Sequence, residues 1–140
     1  MSVPPRLTVE RGLLDTSVVI ALEQLEPASL PQGSAIAAIT LAELTAGPHA
    51  TNDPDERARR QDRLQRVEDL FDPLPFDAAA ARAYGRVYSA TRARKRKPRG
   101  ARVVDLLIAA TALANDLPLF TRNPADVDHL DAIGLSVHAT

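Results

Sequence analysis

The sequence predicts an α/β fold, a three-layer α/β/α sandwich in which helices cover both faces of a central, mostly parallel twisted sheet. Two observations support this prediction. Short apolar runs of strand length alternate along the chain with longer segments of helical pattern. One helical segment, residues 103–114, is apolar nearly all round, which is typical of a buried helix. The sequence contains neither an internal repeat nor a low-complexity linker, so these layers are expected to form one domain.

The size and composition are those of a single globular domain. The chain has 140 residues, of which 45% are hydrophobic and 25% are charged, as in ordinary soluble proteins. We assign residues 1–140 to one domain, with residues 1–11 as a short N-terminal leader. The absence of cysteine excludes a thiolate zinc site, a cysteine nucleophile and a disulfide framework, and it fits a cytoplasmic protein. No apolar run reaches membrane-spanning length, and the N-terminus lacks the apolar core of a signal peptide.

The apolar runs and the helical patterns define the expected elements. The predicted strands are residues 13–14, 35–39, 117–120 and 135–137, with 73–76 as a further short candidate. The predicted helices are residues 18–25, 41–46, 54–71, 78–88, 103–114 and 124–132. Strands that alternate with helices in this way indicate parallel strand pairs, because a crossover connection that contains a helix joins one strand to the next.

Capping residues mark several helix boundaries. Ser17 is the predicted N-cap of the first helix, and Asp53 and Asp77 precede the third and fourth. Gly47 followed by Pro48 ends the second helix. The inward faces of the third and fourth helices are predicted to contain Leu64, Val67, Leu70 and Phe71, and Ala80, Tyr84, Val87 and Tyr88, respectively.

Several acids occur where predicted strands end. Asp15 follows the first strand directly, and Glu43 lies one turn into the helix after the second. Asn123 and Asp126 follow the strand that ends at residue 120, and Asp105 is the only charged residue in segment 103–114. Ligands of open parallel sheets bind beyond the carboxyl ends of the strands. We therefore expect these side chains to meet at one edge of the sheet.

The chemistry of these donors indicates a divalent cation. Crowded carboxylates repel one another, and burying them unpaired costs several kcal/mol, which a cation offsets. Every donor is an oxygen, with no histidine or cysteine among them, so Mg²⁺ or Mn²⁺ is expected rather than zinc. Such a site can activate water, orient it in line with a phosphodiester and stabilise the leaving oxygen. The indicated chemistry is metal-assisted phosphodiester hydrolysis.

Two of the acids also have a structural interpretation as helix caps. Thr40 and Glu43 match a capping box, in which the Glu43 side chain bonds the Thr40 amide. For Glu43 taken alone, the capping box is the favoured interpretation. Asp105 is a candidate cap for a helix that begins at Leu106.

The remaining acids differ in how easily a structural role explains them. Asn123 is a candidate N-cap before Pro124, and Asp126 is then favourable in the first helical turn. Asp15 is harder to explain, because Asp is depleted in strands and Ser17 can already supply the cap. All of these structural interpretations would have to hold together at one sheet edge, so we favour the joint metal-binding interpretation.

Four motifs occur in a fixed order along the chain: residues 13–17 (LLDTS), 40–44 (TLAEL), 102–112 (RVVDLLIAATA) and 119–126 (LFTRNPAD). Together they resemble the PIN-domain family, and specifically its VapC-like toxins, over nearly the whole of residues 13–137. The resemblance implies a PIN fold and Mg²⁺-dependent endonuclease action on RNA, with tRNA or ribosomal RNA as reasonable targets. It also implies homodimers and neutralisation by a cognate VapB-like antitoxin.

The resemblance also implies the site residues. Asp15, Glu43 and Asp105 match the acidic triad of the family, with Asp15 and Asp105 as the expected direct metal ligands. The fourth acid matches Asn123 in some family members and Asp126 in others. We assign Asp126 as the fourth catalytic residue, with Glu43 and Asp126 as further candidate ligands, and keep Asn123 as a candidate for contact through water. The supporting polar positions, which can bind a metal-coordinated water or a phosphate, are Thr16 and Thr121.

A run of seven basic residues without an acid occupies residues 92–102, directly before Asp105. We call this run the basic strip. An acidic metal site repels RNA phosphates, so a cationic rim would help to hold the substrate, although a solvated helix end is the alternative. No aromatic residue interrupts the strip, so we expect it to contribute affinity rather than base choice. Its predicted RNA-binding residues are Arg94, Lys95, Arg96, Lys97, Arg99 and Arg102.

A non-enzymatic function stays open as the alternative. A PIN-like domain that binds RNA or a partner without cutting is expected to lack one of the acids, and Asn123 is the one hint of such a loss. Retention of Asp15, Glu43 and Asp105 argues against it. Phosphoacceptor domains of the response-regulator class need paired acids after the first strand. Haloacid-dehalogenase-like phosphatases need a second Asp where Ser17 stands, so both classes are less favoured.

Overall fold

A computed structural model describes residues 9–94 and 100–140, which form helices around one four-stranded sheet. The strands are β1 (Arg11–Leu14), β2 (Gly33–Ile36), β3 (Leu119–Thr121) and β4 (Val137–Ala139). The α-helices are α1 (Thr16–Ile20), α2 (Ala38–Ala46), α3 (Pro54–Leu70), α4 (Ala78–Ala93) and α5 (Ala101–Ala114). Short 3-10 helices contribute to the connections. In the described part of the chain, no helix is both long and apolar enough to cross a membrane.

The sheet has the strand order β2-β1-β3-β4, and each pair of neighbouring strands is parallel. The predicted parallel α/β fold is therefore confirmed. Leu14 of β1 is in register with Ile36 of β2 and with Phe120 of β3. Asp15 continues this register, because its backbone amide donates to the Phe120 carbonyl at 3.0 Å. The residues that follow β1, β2 and β3 thus meet at one edge, which we call the carboxyl edge.

Two buried clusters pack on opposite faces of the sheet. Leu13 packs with residues of α4 and α5, whereas its neighbour Leu14 packs with residues of α1 and α3. This division follows from the pleat of a strand, in which successive side chains face opposite sides. Leu106 and Ile108 of α5 are fully buried, which explains why this helix is apolar nearly all round. The predicted three-layer architecture is confirmed.

Several predicted helix starts are wrong. Helix α1 begins at Thr16 rather than at residue 18, and helix α2 begins at Ala38 rather than at residue 41. The early start of α2 has a tertiary cause, since the Ala38 amide donates to the Leu74 carbonyl at 2.8 Å. Thr40 consequently lies inside α2. Helix α5 begins before Asp105, so Asp105 is not its cap.

Other predicted boundaries also differ from the structure. Helix α1 ends at Ile20 rather than at residue 25, and α4 continues to Ala93 rather than ending at residue 88. Strand β2 covers Gly33–Ile36 rather than residues 35–39. Strand β1 includes Arg11, the last residue assigned to the leader. Strands β3 and β4 end later than predicted, and segment 73–76 forms only a single bridge, between Leu74 and Ala37. The predicted helix 124–132 is a pair of 3-10 helices, Pro124–Asp126 and Asp128–Ile133.

The predicted inward faces of α3 and α4 are confirmed except at one residue of each. Leu64 and Val67 of α3 are buried, but Leu70, in the last position of that helix, is 70% exposed. In α4, Val87 is fully buried, whereas Tyr88 is 41% exposed and packs edge-to-face on the ring of Tyr84.

Candidate active site

Asp15 stands between strand β1 and helix α1 and is only 9% exposed. Its Oδ1 accepts a hydrogen bond from the Val18 backbone amide at 3.1 Å and another from the Ser17 hydroxyl at 2.6 Å. Asp15 rather than Ser17 is therefore the N-cap of α1, which corrects the prediction. Both bonds go to the same oxygen, so the cap fixes the direction of the carboxylate without engaging Oδ2.

Ser17 connects Asp15 to strand β3. Its hydroxyl donates to Asp15 and accepts a bond from the backbone amide of Arg122 at 3.2 Å, directly after β3. The sequence pattern predicts Ser17 only as a helix cap. Its position two residues after Asp15, where a hydroxyl can reach back to the carboxylate, is the signal that could have identified its role.

Glu43 lies in the second turn of α2, and its side chain contacts α1. Its Oε1 accepts a hydrogen bond from the Thr16 hydroxyl at 2.5 Å. Thr16 Oγ1 also lies 3.1 Å from the hydroxyl oxygen of Thr40. The N-cap of α2 is Ala37, so the capping-box interpretation of Glu43 is wrong. The structure instead links Glu43 to the residue that follows Asp15.

Asp105 lies one turn inside α5 and is partly buried. Burial is the main reason that its pKa is raised to about 6. The negative charges of Asp15, Glu43 and Asp126 raise the pKa further, and the positive charge of Arg102 opposes them. Because charge interactions weaken with distance and with screening by water, these contributions indicate that the four predicted acids are grouped around one locus.

A small cavity of about 40 Å³ opens at the carboxyl edge of the sheet. Its polar lining consists of Asp15, Ser17, Asp105, Thr121, Asn123 and Asp126. Three of the four predicted catalytic acids therefore share one cavity. Glu43 does not line it, and instead lines a neighbouring cavity of about 330 Å³ together with Thr16.

The residues after β3 reach the cavity through a tight turn. The Thr121 hydroxyl accepts a bond from the Asn123 backbone amide at 3.0 Å, and the Asn123 carbonyl accepts one from the Asp126 amide at 3.1 Å. Within the described residues, the Asn123 side chain makes no capping bond, so the N-cap interpretation is wrong for the side chain. Asn123 and Asp126 both line the cavity.

The donors suit a hydrated Mg²⁺ better than an ion enclosed by protein ligands. Over residues 9–94 and 100–140, no three acidic or histidine side chains are arranged to hold an ion by themselves. Mg²⁺ in proteins commonly takes one or two carboxylates and keeps several waters. Asp15 and Asp105 offer two carboxylates, and the negative charge that raises the pKa of Asp105 would be offset by a cation. The residues present therefore fit this ion.

Only the two ends of the basic strip lie within the described residues. Arg94 is the exposed C-cap of α4, and Arg102 lies in the first turn of α5, one turn before Asp105. The charge of Arg102 acts on Asp105, so this end of the strip lies beside the acids. The other predicted RNA-binding positions lie outside the described residues: Lys95, Arg96, Lys97 and Arg99.

Comparison with known proteins agrees with this fold. Residues 12–132 match the PIN domain family. Ribonuclease VapC5 from Mycobacterium tuberculosis is 40% identical over 121 residues, which cover 83% of this chain and 85% of that protein. Ribonuclease VapC from Rickettsia bellii is 33% identical over 118 residues, which cover 81% of this chain and 86% of that protein.

Solved structures show the same similarity. The structure of VapBC-5, a member of the VapBC family of toxin–antitoxin systems from Mycobacterium tuberculosis, has a TM-score of 0.78 at 35% identity and covers 94% of this chain and 99% of that chain. FitAcB from Neisseria gonorrhoeae has a TM-score of 0.68 at 27% identity, with coverage of 90% and 95%. The match to the family spans most of the chain, and the relatives named Ribonuclease VapC align over most of their own length. This chain therefore belongs to the PIN-domain family and, within it, to the VapC-like proteins.

Proposed function

We propose that this chain is a Mg²⁺-dependent endoribonuclease that acts as the toxin of a VapBC-like toxin–antitoxin pair. The observation that supports this most strongly is the position of Asp105. It is a carboxylate in an otherwise apolar stretch of helix, and it shares one small cavity with Asp15 and Asp126. Such a grouping is unfavourable unless a cation binds. Two similar proteins named as ribonucleases, VapC5 and VapC, support RNA as the substrate.

The proposed ligands of Mg²⁺ are Asp15 and Asp105, with Glu43 and Asp126 as further candidates. When bound, Mg²⁺ lowers the pKa of water and stabilises the leaving oxygen of a phosphodiester. The chain itself supplies a fixed direction for Asp15, because the Val18 amide and the Ser17 hydroxyl hold Oδ1 before substrate arrives. Preorganised ligands of this kind reduce the rearrangement needed in the reaction.

The basic strip is proposed to bind the phosphates of the RNA. Arg102 lies one turn from Asp105, so a phosphodiester above the acids would lie within reach of positive charge. Contacts to phosphates position a nucleic acid without reading its sequence. We therefore expect the choice among RNAs, such as tRNA or ribosomal RNA, to depend on features outside the strip.

We also propose a partner and a cellular setting. The similar VapBC-5 structure is that of a toxin–antitoxin system, so a cognate VapB-like antitoxin is proposed for this chain. A homodimer and a cytoplasmic location are proposed on the resemblance to VapC-like toxins, and the absence of cysteine agrees with the second of these.

Induced expression in a bacterial host tests the toxin activity. The wild type is expected to arrest growth and to leave cut RNA, whereas Asp15→Ala is expected to do neither. Asp128→Ala is a matched control, because Asp128 is an exposed acid outside the lining of the cavity, and it should behave like the wild type. Normal growth with intact RNA, despite soluble wild-type protein, would contradict the proposal. Binding of RNA without cleavage would favour the non-catalytic alternative.

A further inference from the structure

The Thr40 hydroxyl does not make the hydrogen bond that the hydroxyls of three other threonines in helices α2 to α5 make. A threonine inside a helix commonly donates to the carbonyl four residues earlier. Three do so here at 2.8–3.0 Å, and they are Thr45, Thr91 and Thr111. Thr40 is fully buried, and its hydroxyl contacts Thr16 of α1 instead, at 3.1 Å between the hydroxyl oxygens. Its hydroxyl thus connects two helices.

Backbone hydrogen bonds near Thr40 are consistent with a contact between Thr40 and Thr16. The carbonyl four residues before Thr40 belongs to Ile36, at the end of β2, and it accepts a bond from the Leu74 amide at 2.9 Å. The Leu74 carbonyl in turn accepts the bond from Ala38 that starts helix α2. The backbone of Leu74 therefore forms hydrogen bonds with the backbone at the junction of β2 and α2, whereas the Thr40 hydroxyl bonds a residue of α1.

Which of Thr16 and Thr40 donates in the hydrogen bond between them follows from the number of hydrogens that each side chain carries. Thr16 Oγ1 lies 2.5 Å from Glu43 Oε1, and an ionised carboxylate can only accept. The Thr16 hydroxyl has one hydrogen and donates it to Glu43. The hydrogen between the two threonines must then come from Thr40. The order of donation is Thr40 to Thr16 to Glu43, and we call these three side chains the threonine relay.

We infer that Thr40 is a positioning residue for the acidic site, an inference that rests on the nuclease function proposed above. Threonine in a helix divides between two χ1 rotamers, and the bond from Thr40 favours the one in which Thr16 reaches Glu43. Thr40 is 0% exposed, so water does not compete for its hydroxyl. Glu43 is an exposed side chain that would otherwise sample several rotamers. The relay holds its carboxylate against the helix that Asp15 caps.

Three single variants test this role. Thr40→Val keeps the shape of the side chain and removes the hydroxyl, whereas Thr40→Ser keeps the hydroxyl. Thr45→Val is the matched control, because it removes a helical hydroxyl that bonds within α2. We expect Thr40→Val to lower the kcat of RNA cleavage at saturating Mn²⁺ about tenfold, the usual effect of residues that orient metal ligands, with the KM for RNA within about twofold. Thr40→Ser and Thr45→Val should stay within about twofold of the wild type.

A double variant separates the relay from a general packing effect. Groups that act in series show non-additive effects, so Thr16→Val combined with Thr40→Val should be no slower than Thr16→Val alone. Multiplicative losses, or a Thr40→Val kcat within about twofold of the wild type, would overturn the inference.

Crystal structures of the metal-free wild type, Thr40→Val and Thr45→Val provide a readout that does not depend on activity. The Glu43 carboxylate should leave its contact with Thr16 in Thr40→Val only, and an unmoved carboxylate would overturn the relay. If the wild type neither binds Mn²⁺ nor cuts RNA, the proposed function fails, and the position of Glu43 in these structures still decides the relay.

Discussion

Asp105 of helix α5 and Asp15 at the end of strand β1 line the same cavity, although they come from distant parts of the chain. After burial, the charge of Asp15 is the largest contribution to the raised pKa of Asp105. The fold therefore holds two carboxylates together at a cost in stability at neutral pH. Carboxylates held together in this way are typical of functional sites, where a bound ligand offsets the loss of stability that their repulsion causes.

Asp105→Asn should stabilise the metal-free protein at neutral pH. The pKa of Asp105 in the folded protein is about 6, above its ordinary value of 3.8, so folding disfavours the charged form. The stability linked to the protonated form is complete below pH 3.8 and is lost as the pH rises through 6. Asparagine avoids this loss, and we expect a gain of about 1–3 kcal/mol above a pH of about 6, allowing for solvent screening.

Thermal melts in EDTA at two pH values, about pH 8 and about pH 4, measure this gain. The gain in stability of Asp105→Asn should be clear at about pH 8 and small at about pH 4. Asp128→Asn, which removes an exposed acid outside the cavity, controls for the change in net charge. A gain of equal size at both pH values, or no gain at all, would show that folding does not disfavour the charged form of Asp105.

Mn²⁺ should raise the Tm of the wild type, because a ligand that binds only the folded state stabilises it by mass action. At a free concentration of about 100 times the Kd, the expected stabilisation is about 2.7 kcal/mol. Asp15→Asn and Asp105→Asn should each lose most of this effect, while Asp128→Asn should keep it. An unchanged wild-type Tm, or full stabilisation of the Asp15 variant, would count against the metal assignment.

Ser17→Ala should slow RNA cleavage by more than its cost in stability explains. The variant removes the 2.6 Å bond to Asp15 and the acceptor for the Arg122 amide, so Asp15 loses part of its orientation. We expect a loss of about 1 kcal/mol in the free energy of unfolding and a loss of about tenfold in kcat. Ser29→Ala is the control, since the Ser29 hydroxyl makes a local bond to the Glu26 carbonyl. Equal activity of the two variants would exclude an orienting role.

Reversal of three charges in the basic strip should weaken RNA binding and flatten its salt dependence. The variant replaces Lys95, Arg96 and Lys97 with glutamate, and a protein that neutralises fewer phosphates releases fewer counterions on binding. The slope of log Kd against log salt should fall by about 0.7–0.9 for each phosphate that is no longer neutralised. The same reversal at three exposed arginines away from the strip, Arg59, Arg66 and Arg82, is the charge-matched control. Indistinguishable slopes would assign the strip to another partner or to solvent.

The sequence was sufficient to predict the parallel sheet and the acids around one locus, because both depend on local pattern and strand order. It was not sufficient to predict how Glu43 is held. The motif at Thr40 satisfies the local rule for a capping box, but α2 starts earlier because the Leu74 carbonyl accepts the Ala38 amide. That contact joins segments that are distant in the sequence, so the residues near Thr40 do not predict it.

The capping of α1 shows the same limit on a smaller scale. Asp15 and Ser17 are both good N-cap residues, and sequence alone does not decide between them. The structure gives the cap to Asp15, with Ser17 as a donor to it. Capping is compatible with the proposed metal binding by the same carboxylate, because the cap occupies Oδ1. A structural role for an acid therefore does not exclude a functional one.

Cleavage of RNA by the purified chain, with and without Mg²⁺, tests the proposed site most directly. The wild type should cut RNA internally with Mg²⁺ and should stop when EDTA is added. Asp105→Asn should be slower by about 100-fold or more, since even residues behind a metal ligand commonly contribute about 10–100-fold, and Asp128→Asn should match the wild type. Cleavage that persists in EDTA, or an Asp105→Asn variant as fast as the wild type, would contradict a metal site built on Asp105.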